Sequence, residues 1–202
     1  MLTDKQHELL AYTQKHIGTL SSVREWVDDI GSVKIPIAIA VDSPQSGLKS
    51  YATMGLSDYS ISLKSEHGLP LRVEFVGAAR QDFESYFQGI GDCALHVAVS
   101  GYQPKPGRVF PEVFAGHDSL VTTPHGLIWY PFAWDEDFDS QVINSLDIQR
   151  LAVIPITNEE FSFVRELGAG RGGEGVEQLI DLFEANATDI SDLTRATVEG
   201  LG

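Results

Sequence analysis

The chain lacks the residues that build covalent cross-links and membrane spans. It has one cysteine, Cys93, in 202 residues, which excludes an internal disulfide and zinc sites made from several cysteines. The longest apolar run after the N-terminus is IPIAIAV at 35–41, far short of the ~20 residues that cross a bilayer. The N-terminus lacks the basic and then apolar layout of a signal peptide. We therefore expect a cytoplasmic protein without membrane contact.

Basic residues are also scarce. The chain has 14 Lys and Arg against 29 Asp and Glu, a net charge of −15. Most of the excess follows residue 132, where 15 acidic side chains face only 4 basic ones. A field of this sign repels nucleic acid and attracts a basic partner, although an acidic surface also simply keeps a protein soluble. We expect no nucleic-acid partner.

The composition indicates a folded, soluble domain. Hydrophobic residues make up 43% of the chain and the mean hydropathy is −0.06, values typical of globular proteins. The length fits one main core.

Apolar residues recur at helical or strand spacing along most of the chain. Helices are predicted at 3–20, 22–31, 80–99, 157–168 and 176–183. Strands are predicted at 35–41, 51–61, 71–77, 127–134 and 151–156. Thr157 and Glu160 form a capping box at the start of one helix. Residues 187–202 have weak periodicity, so we expect a loosely held acidic tail.

The most acidic stretch is WDEDFDS at 134–140. Its spacing resembles the start of a calcium loop, but Ser140 and Leu146 stand where an EF-hand needs glycine and a bidentate glutamate. A catalytic acid pair, an inert acidic turn and a surface for another protein are the alternatives. We predict no metal or cofactor here.

Cys93 and His96 lie three apart on one predicted helix, a spacing that would allow a thiolate–imidazole pair. A helix that contributes its apolar face to a core usually buries its cysteine. This pattern therefore favours a structural cysteine, and we assign no catalytic residue.

Other histidines and glycines give unspecific signals. His117, Asp118 and His125 could in principle ligate a metal, but they stand on an irregular stretch where capping roles are commoner. The run GAGRGGEG at 168–175 follows a helix and lacks the Lys-Ser/Thr ending of a phosphate loop, which indicates a connector between helices. No GxSxG, HExxH or Walker pattern is present in the sequence.

An ordered set of motifs resembles the suppressor-of-fused family. The set begins with SYATMGLSDYSI, whose Gly55, Leu56, Ser57 and Asp58 match the family's Gly-Leu-Ser-Asp signature. LRVEFVGAARQDF, ALHVAVSGYQPKPGRVFPEVF, LIWYPFAW, LAVIPIT and a Glu-Glu-Phe helix follow in order. The resemblance spans residues 50–186 and is greatest to short bacterial members with a single domain. Residues 1–49 would then be N-terminal helices and a first strand packed on this domain.

The resemblance implies an α/β domain of the α+β type, with a central mixed sheet flanked by helices, that acts by binding rather than catalysis. The animal member sequesters a transcription factor through a cleft that uses a second lobe, which we do not find here. Bacterial members have been proposed as immunity proteins that neutralise secreted polymorphic toxins, often nucleases. His96 and Arg108 stand near cleft positions of the animal protein but differ from it in chemistry. Asp58 is expected to hold its own turn.

These patterns favour an immunity-like protein whose partner is a basic, toxin-like protein. We predict that Asp135, Glu136, Asp137 and Asp139 face the partner and that Trp134 is an anchor, with His96 and Arg108 as further contacts. A housekeeping binding module with an endogenous partner and an unrecognised hydrolase or metal enzyme are the alternatives. The sequence leaves the oligomeric state open.

Overall fold

The structure, a computed structural model, describes residues 4–135, 137–168 and 174–201. Within these ranges the helices are α1 (Asp4–Ile17), α2 (Glu84–Ser100), α3 (Asn158–Gly168) and α4 (Glu174–Ala185). The strands are β1 (Leu20–Val27), β2 (Lys34–Val41), β3 (Leu48–Thr53), β4 (Leu63–Lys64), β5 (Pro70–Arg80), β6 (Val109–Phe110), β7 (His125–Trp129), β8 (Ser140–Ile143) and β9 (Leu146–Ile156).

All nine strands join one sheet in the order β1-β2-β3-β5-β9-β7-β6, with β4 paired to β5 and β8 paired to β9. β5 and β9 are parallel, and the other pairs are antiparallel. β5 and β9 are the longest strands and lie at the centre of the sheet, which agrees with their burial along most of their length. The predicted central mixed sheet with flanking helices is confirmed.

Helix α2 covers one face of the sheet and forms the main core with it. Tyr86, Phe87 and Ile90 of this helix are buried. Its two interior glycines allow close approach: a Cβ at Gly89 would lie 2.1 Å from Phe114, and one at Gly91 would lie 2.4 Å from Trp26. Both glycines are therefore required by packing, which outweighs their low helix propensity.

The opposite face carries separate apolar clusters, and two of them frame the site. The first joins Ile17 of α1 to Ala52, Val76 and Phe138. The second joins β7 and β9 to α3, α4 and the C-terminal residues, with Val164, Leu179, Phe183 and Val198 among its buried members. The sheet face between the two clusters is where a cleft forms.

The helix predicted at 22–31 is wrong, because residues Leu20–Val27 form the edge strand β1. Arg24 and Trp26, two residues apart, both reach Phe87 of α2. The Arg24 guanidinium lies 3.9 Å from the Phe87 ring centroid and the Trp26 ring lies 5.6 Å from it. Side chains two residues apart that point to the same face are typical of a strand. The backbone of this segment pairs with β2.

Two predicted strands end earlier than expected. The strand predicted around Gly-Leu-Ser-Asp stops at Thr53, and Leu56–Asp58 form a 3-10 turn. The strand predicted at 127–134 is β7, which ends at Trp129. Pro131 has no backbone N–H to continue a sheet ladder, so the chain leaves the sheet there.

The capping box predicted at the start of α3 is confirmed. The Glu160 N–H donates to Thr157 Oγ1 at 3.3 Å, and the Thr157 N–H donates to Glu160 Oε2 at 2.9 Å. Each side chain satisfies a backbone donor that the first helical turn leaves open.

The expectation of a loosely held tail is wrong for the described part of 187–202. Arg195 is 8% exposed and pairs with both carboxylate oxygens of the buried Glu160, at 2.6 and 2.7 Å. It also donates to the carbonyl of Pro155 at 3.0 Å, and the Val198 N–H donates to Glu160 at 2.9 Å. Helical and strand periodicity miss this attachment because it depends on polar contacts rather than on an apolar stripe.

Candidate protein-binding site

The Gly-Leu-Ser-Asp turn binds a buried carboxylate. The backbone N–H groups of Gly55, Leu56 and Ser57 donate to Glu74 at 3.3, 3.2 and 3.0 Å, and the Thr53 hydroxyl donates to the same carboxylate. Glu74 is only 2% exposed, so these donors replace the water that the carboxylate loses. The motif therefore fixes the end of β3 onto β5.

Asp58 is exposed and accepts from Lys5 Nζ at 2.7 Å. Its carboxylate thus pairs with a side chain of α1, while Glu74 holds the N–H groups of the turn. The expected role of Asp58 within its own turn is taken by Glu74, a residue some twenty positions away that local sequence patterns do not connect to the turn.

Residues 134, 135 and 137–139, here called the acidic loop, precede β8 and pack on α1 through Phe138. Phe138 is 1% exposed and stacks on His16, with 4.9 Å between ring centroids. Trp134 is half-buried, and its indole N–H donates to Ser50 Oγ at 3.0 Å. Trp134 is therefore partly anchored inside its own domain.

Polar contacts fix the acidic loop as well. The Tyr12 hydroxyl donates to the Asp137 and Ser140 carbonyls. His16 Nδ1 lies 3.2 Å from Asp135 Oδ2. The loop backbone is thereby fixed on α1 at several points.

The described carboxylates of the acidic loop point to solvent. Asp135, Asp137 and Asp139 are exposed, and the Asp135 side chain retains 68% of its accessible surface. Glu136 lies outside the described residues. The nearby Arg150 is buried, and burial lowers the pKa of its guanidinium while the charges of Glu74, Tyr12 and Asp139 oppose that shift. The three exposed carboxylates give the loop a negative surface.

His96 and Arg108 lie on the other side of the molecule. His96 is exposed on α2, with its ring 5.7 Å from Phe110 in the main core, and Arg108 is exposed just before β6. Because α2 and the acidic loop cover opposite faces of the sheet, the structure does not bring these two residues together with the acidic loop.

The geometry does not support a thiolate–imidazole pair. Cys93 is fully buried, and burial, with a smaller contribution from Asp92, raises the pKa of its thiol well above the usual value. His96 is exposed. The thiol therefore stays protonated inside the core, where a nucleophile would have no access to substrate.

The two histidines that could in principle ligate a metal have separate hydrogen-bond partners. His117 Nε2 lies 2.7 Å from Asp92. His125 Nδ1 accepts from the Glu112 N–H at 3.0 Å, which leaves Nε2 to donate to Asn158 at 2.8 Å. The residues that the structure describes contain no group of three potential metal ligands. Most of the predicted glycine connector, at 169–173, lies outside those residues.

A cleft of about 490 Å³ lies beside the acidic loop. Parallel pairing of β5 with β9 ends at Val76 and Ala152, and both strands then continue without pairing with each other. The cleft lies over this gap. Its lining comes from five segments: Pro44–Leu48, Gly77 with Ala78, Phe132–Trp134, Ala152–Pro155 of β9, and the tail at 187–191.

Small residues of β5 line this cleft. Any Cβ at Gly77 would lie 1.5 Å from the Tyr86 hydroxyl, which donates to the Val153 carbonyl beneath the gap. Ala78 is the next residue and points to the other face, where it lines the cleft. The sequence analysis missed the cleft, although the run of small residues at 77–79 inside a strand was a possible signal.

No helix of the described residues is long and apolar enough to span a membrane. The chain forms an α+β domain with exposed carboxylates on a fixed loop and an adjoining cleft. These features suit binding to another molecule.

Comparison with known proteins identifies the family. The profile of Suppressor of fused protein (SUFU) matches residues 31–196, so the chain belongs to the suppressor-of-fused family. The match includes β2 and most of the tail as well as the region where the resemblance was seen.

The chain matches nearly the full length of two bacterial relatives but less than half of an animal one. Immunity protein YqcF of Bacillus subtilis (strain 168) is 30% identical over 181 residues, which are 90% of each protein. A suppressor-of-fused homologue of Neisseria gonorrhoeae has the same fold, with a TM-score of 0.65 and 14% identity over 96% of both chains. Suppressor of Fused of Drosophila gives a TM-score of 0.55 and 11% identity, over 86% of this chain but 43% of the fly protein. In length the chain thus corresponds to the bacterial relatives.

Proposed function

We propose that this chain is an immunity-like protein that binds and neutralises a basic, toxin-like protein in the cytoplasm, without catalysis of its own. The observation that carries the proposal is the acidic loop. Its carboxylates at Asp135, Asp137 and Asp139 are exposed, while Phe138 and Trp134 fix the loop to the sheet. A rigid negative surface of this kind suits a partner with a positive one.

Charge and kinship both support this function. A nuclease toxin must present a basic surface to its nucleic-acid substrate, and a chain of net charge −15 attracts such a surface from a distance. The Bacillus subtilis relative is named an immunity protein, and one solved relative is a complex of Sufu with Fu. Binding to another protein is therefore the role that the family context favours.

The first test recovers the partner. The protein is purified from its host's lysate at low and at high salt, and co-purifying proteins are identified by mass spectrometry. We expect a basic protein in near-equal amount that high salt releases, because exposed charges are screened over roughly 8–10 Å at physiological ionic strength. The purified chain should inhibit this protein stoichiometrically. Recovery of a constitutive, non-toxic host protein would instead indicate a housekeeping binding module.

A pair of matched variants then tests the surface. One carries Asp135→Asn, Asp137→Asn and Asp139→Asn in the acidic loop. Its control carries Glu177→Gln, Asp181→Asn and Glu184→Gln, which neutralise three exposed acids of α4. We expect the association rate to fall about tenfold or more in the loop variant only. Equal rates and affinities for both variants would remove the acidic loop from the interface.

A further inference from the structure

We propose that the cleft above the gap between β5 and β9 receives an extended segment of the protein partner, with apolar side chains at its centre and basic residues on both sides. This inference rests on the proposed function and names the part of the partner that the site would hold. The cleft lies on the same face as the acidic loop, and Trp134 belongs to both.

The centre of the cleft is apolar, and an aromatic side chain at its rim is exposed. Ala78, Ala152 and Ile154 supply side chains on the sheet face turned away from α2, and Phe132 stands at the rim with 52% of its surface exposed. An exposed aromatic residue beside a concave apolar surface is typical of the residues that dominate binding energy. Apolar side chains of a partner would bury Phe132 here.

Each end of the cleft is acidic. At one end Asp135 follows Trp134 directly, with its carboxylate largely exposed. At the other end the cleft continues past Gln45 into a more open depression that holds Asp42, Asp82 and Asp189.

Arg80 is the one basic residue among those that line this depression. It pairs with Asp189 at 2.8 Å and with Asp192 at 2.9 Å, so its charge is already matched within the domain. The depression therefore remains net negative, and a segment that crosses the whole cleft meets carboxylates at both ends. Lysine or arginine on both sides of an apolar centre is the complementary pattern.

The floor of the cleft is closed and held by hydrogen bonds, so the surface that would bind the segment is already formed. The Tyr86 hydroxyl occupies the space beside Gly77 and donates to the Val153 carbonyl. The Arg80 N–H donates to the Ser191 carbonyl at 3.1 Å and holds the tail along one side. Little reorganisation is then needed on binding, which lowers its entropic cost.

The test uses a labelled synthetic peptide with a central Leu-Val pair flanked by lysines, and a matched peptide with glutamates in place of the lysines. Fluorescence anisotropy measures binding, and NMR shifts of the Gly77, Ala78 and Ile154 amides locate it. We expect saturable binding of the lysine peptide alone. Its affinity should fall at least about tenfold in Ala133→Trp, which places a ring in the cleft from an exposed rim position, as expected for the loss of one well-packed contact.

Two further variants keep this test decisive. Ala78→Leu fills the cleft from its floor and should weaken the lysine peptide in the same way. Ala115→Trp adds an identical ring at an exposed position next to Phe114, on the α2 side, and should bind the peptide like the unmodified chain. No saturable binding of the lysine peptide, equal binding of both peptides, or undiminished binding by Ala133→Trp would overturn the proposal.

The result is separable from that of the proposed function, because peptide binding requires no toxin. If the chain binds the lysine peptide in the cleft but inhibits no co-purified toxin, the cleft proposal stands and the neutralising role is contradicted. If the chain inhibits a toxin, and the Ala133→Trp variant still binds both the peptide and the toxin as before, the cleft is not the binding site. If sedimentation shows a dimer that Ala133→Trp dissociates, the cleft holds a second copy and the proposal is overturned.

Discussion

The buried and the exposed carboxylates of this protein use the same charge for different purposes. Glu74 and Glu160 are at most 2% exposed, and each accepts several hydrogen bonds from its own chain. Asp135, Asp137 and Asp139 are exposed, and among the described residues the ion pair found for their side chains is that of Asp135 with His16. The first set is fully occupied within the fold, whereas the second remains available to a partner.

Stability should therefore depend strongly on the buried set and very little on the exposed set. A buried charge that loses its partner keeps the full cost of its desolvation, while an exposed carboxylate is solvated in both the folded and the unfolded chain. Isosteric substitutions can separate the two sets, if both the free energy of unfolding and the affinity for a partner are measured for each variant.

The largest effect on stability is expected from Arg195→Met, which keeps an unbranched apolar side chain but removes the guanidinium that pairs with Glu160 and lies over the Phe183 ring. Glu160 would remain buried without its cation, so the free energy of unfolding should fall by ~3–5 kcal/mol in urea titrations. Arg80→Met removes a guanidinium from an ion pair whose side chains are about half-exposed and should cost less than ~1 kcal/mol. Equal losses in the two variants would show that the tail contact is not a buried ion pair in solution.

A smaller effect is expected from Glu74→Gln, which keeps the shape of the side chain but replaces one acceptor oxygen by an NH₂ group. Some of the N–H groups of the Gly-Leu-Ser-Asp turn would then face a donor, and Arg150 would lose a nearby negative charge. We expect a loss of about 1–3 kcal/mol. Glu25→Gln on the exposed edge strand is the control and should change stability by less than ~0.5 kcal/mol. A Glu74→Gln chain as stable as the control would mean that the turn does not depend on this carboxylate.

Local patterns predicted much of the scaffold. The capping box at Thr157, the strands at 35–41 and 71–77, and the stripe of α4 are each visible as a pattern within one short stretch of sequence. The edge strand β1 does not, because its register is set by β2 and by α2, far along the chain. The contact of the 55–57 turn with Glu74 likewise joins residues that are distant in sequence. The cleft opens where β5 and β9, which are also distant in sequence, stop pairing.

The smallest effect on stability should come from the combined variant Asp135→Asn, Asp137→Asn and Asp139→Asn. Its side chains keep their size and stay in water, so we expect a change of less than ~0.5 kcal/mol in urea unfolding, measured beside the binding assays. The Asp135 side chain contacts His16 of α1, and the Asp135→Asn single variant measures the share of that contact. A loss of several kcal/mol would place these aspartates with Glu74 and Glu160 as structural groups. An unchanged stability, together with slower association, would show that the negative charge of the acidic loop serves recognition alone.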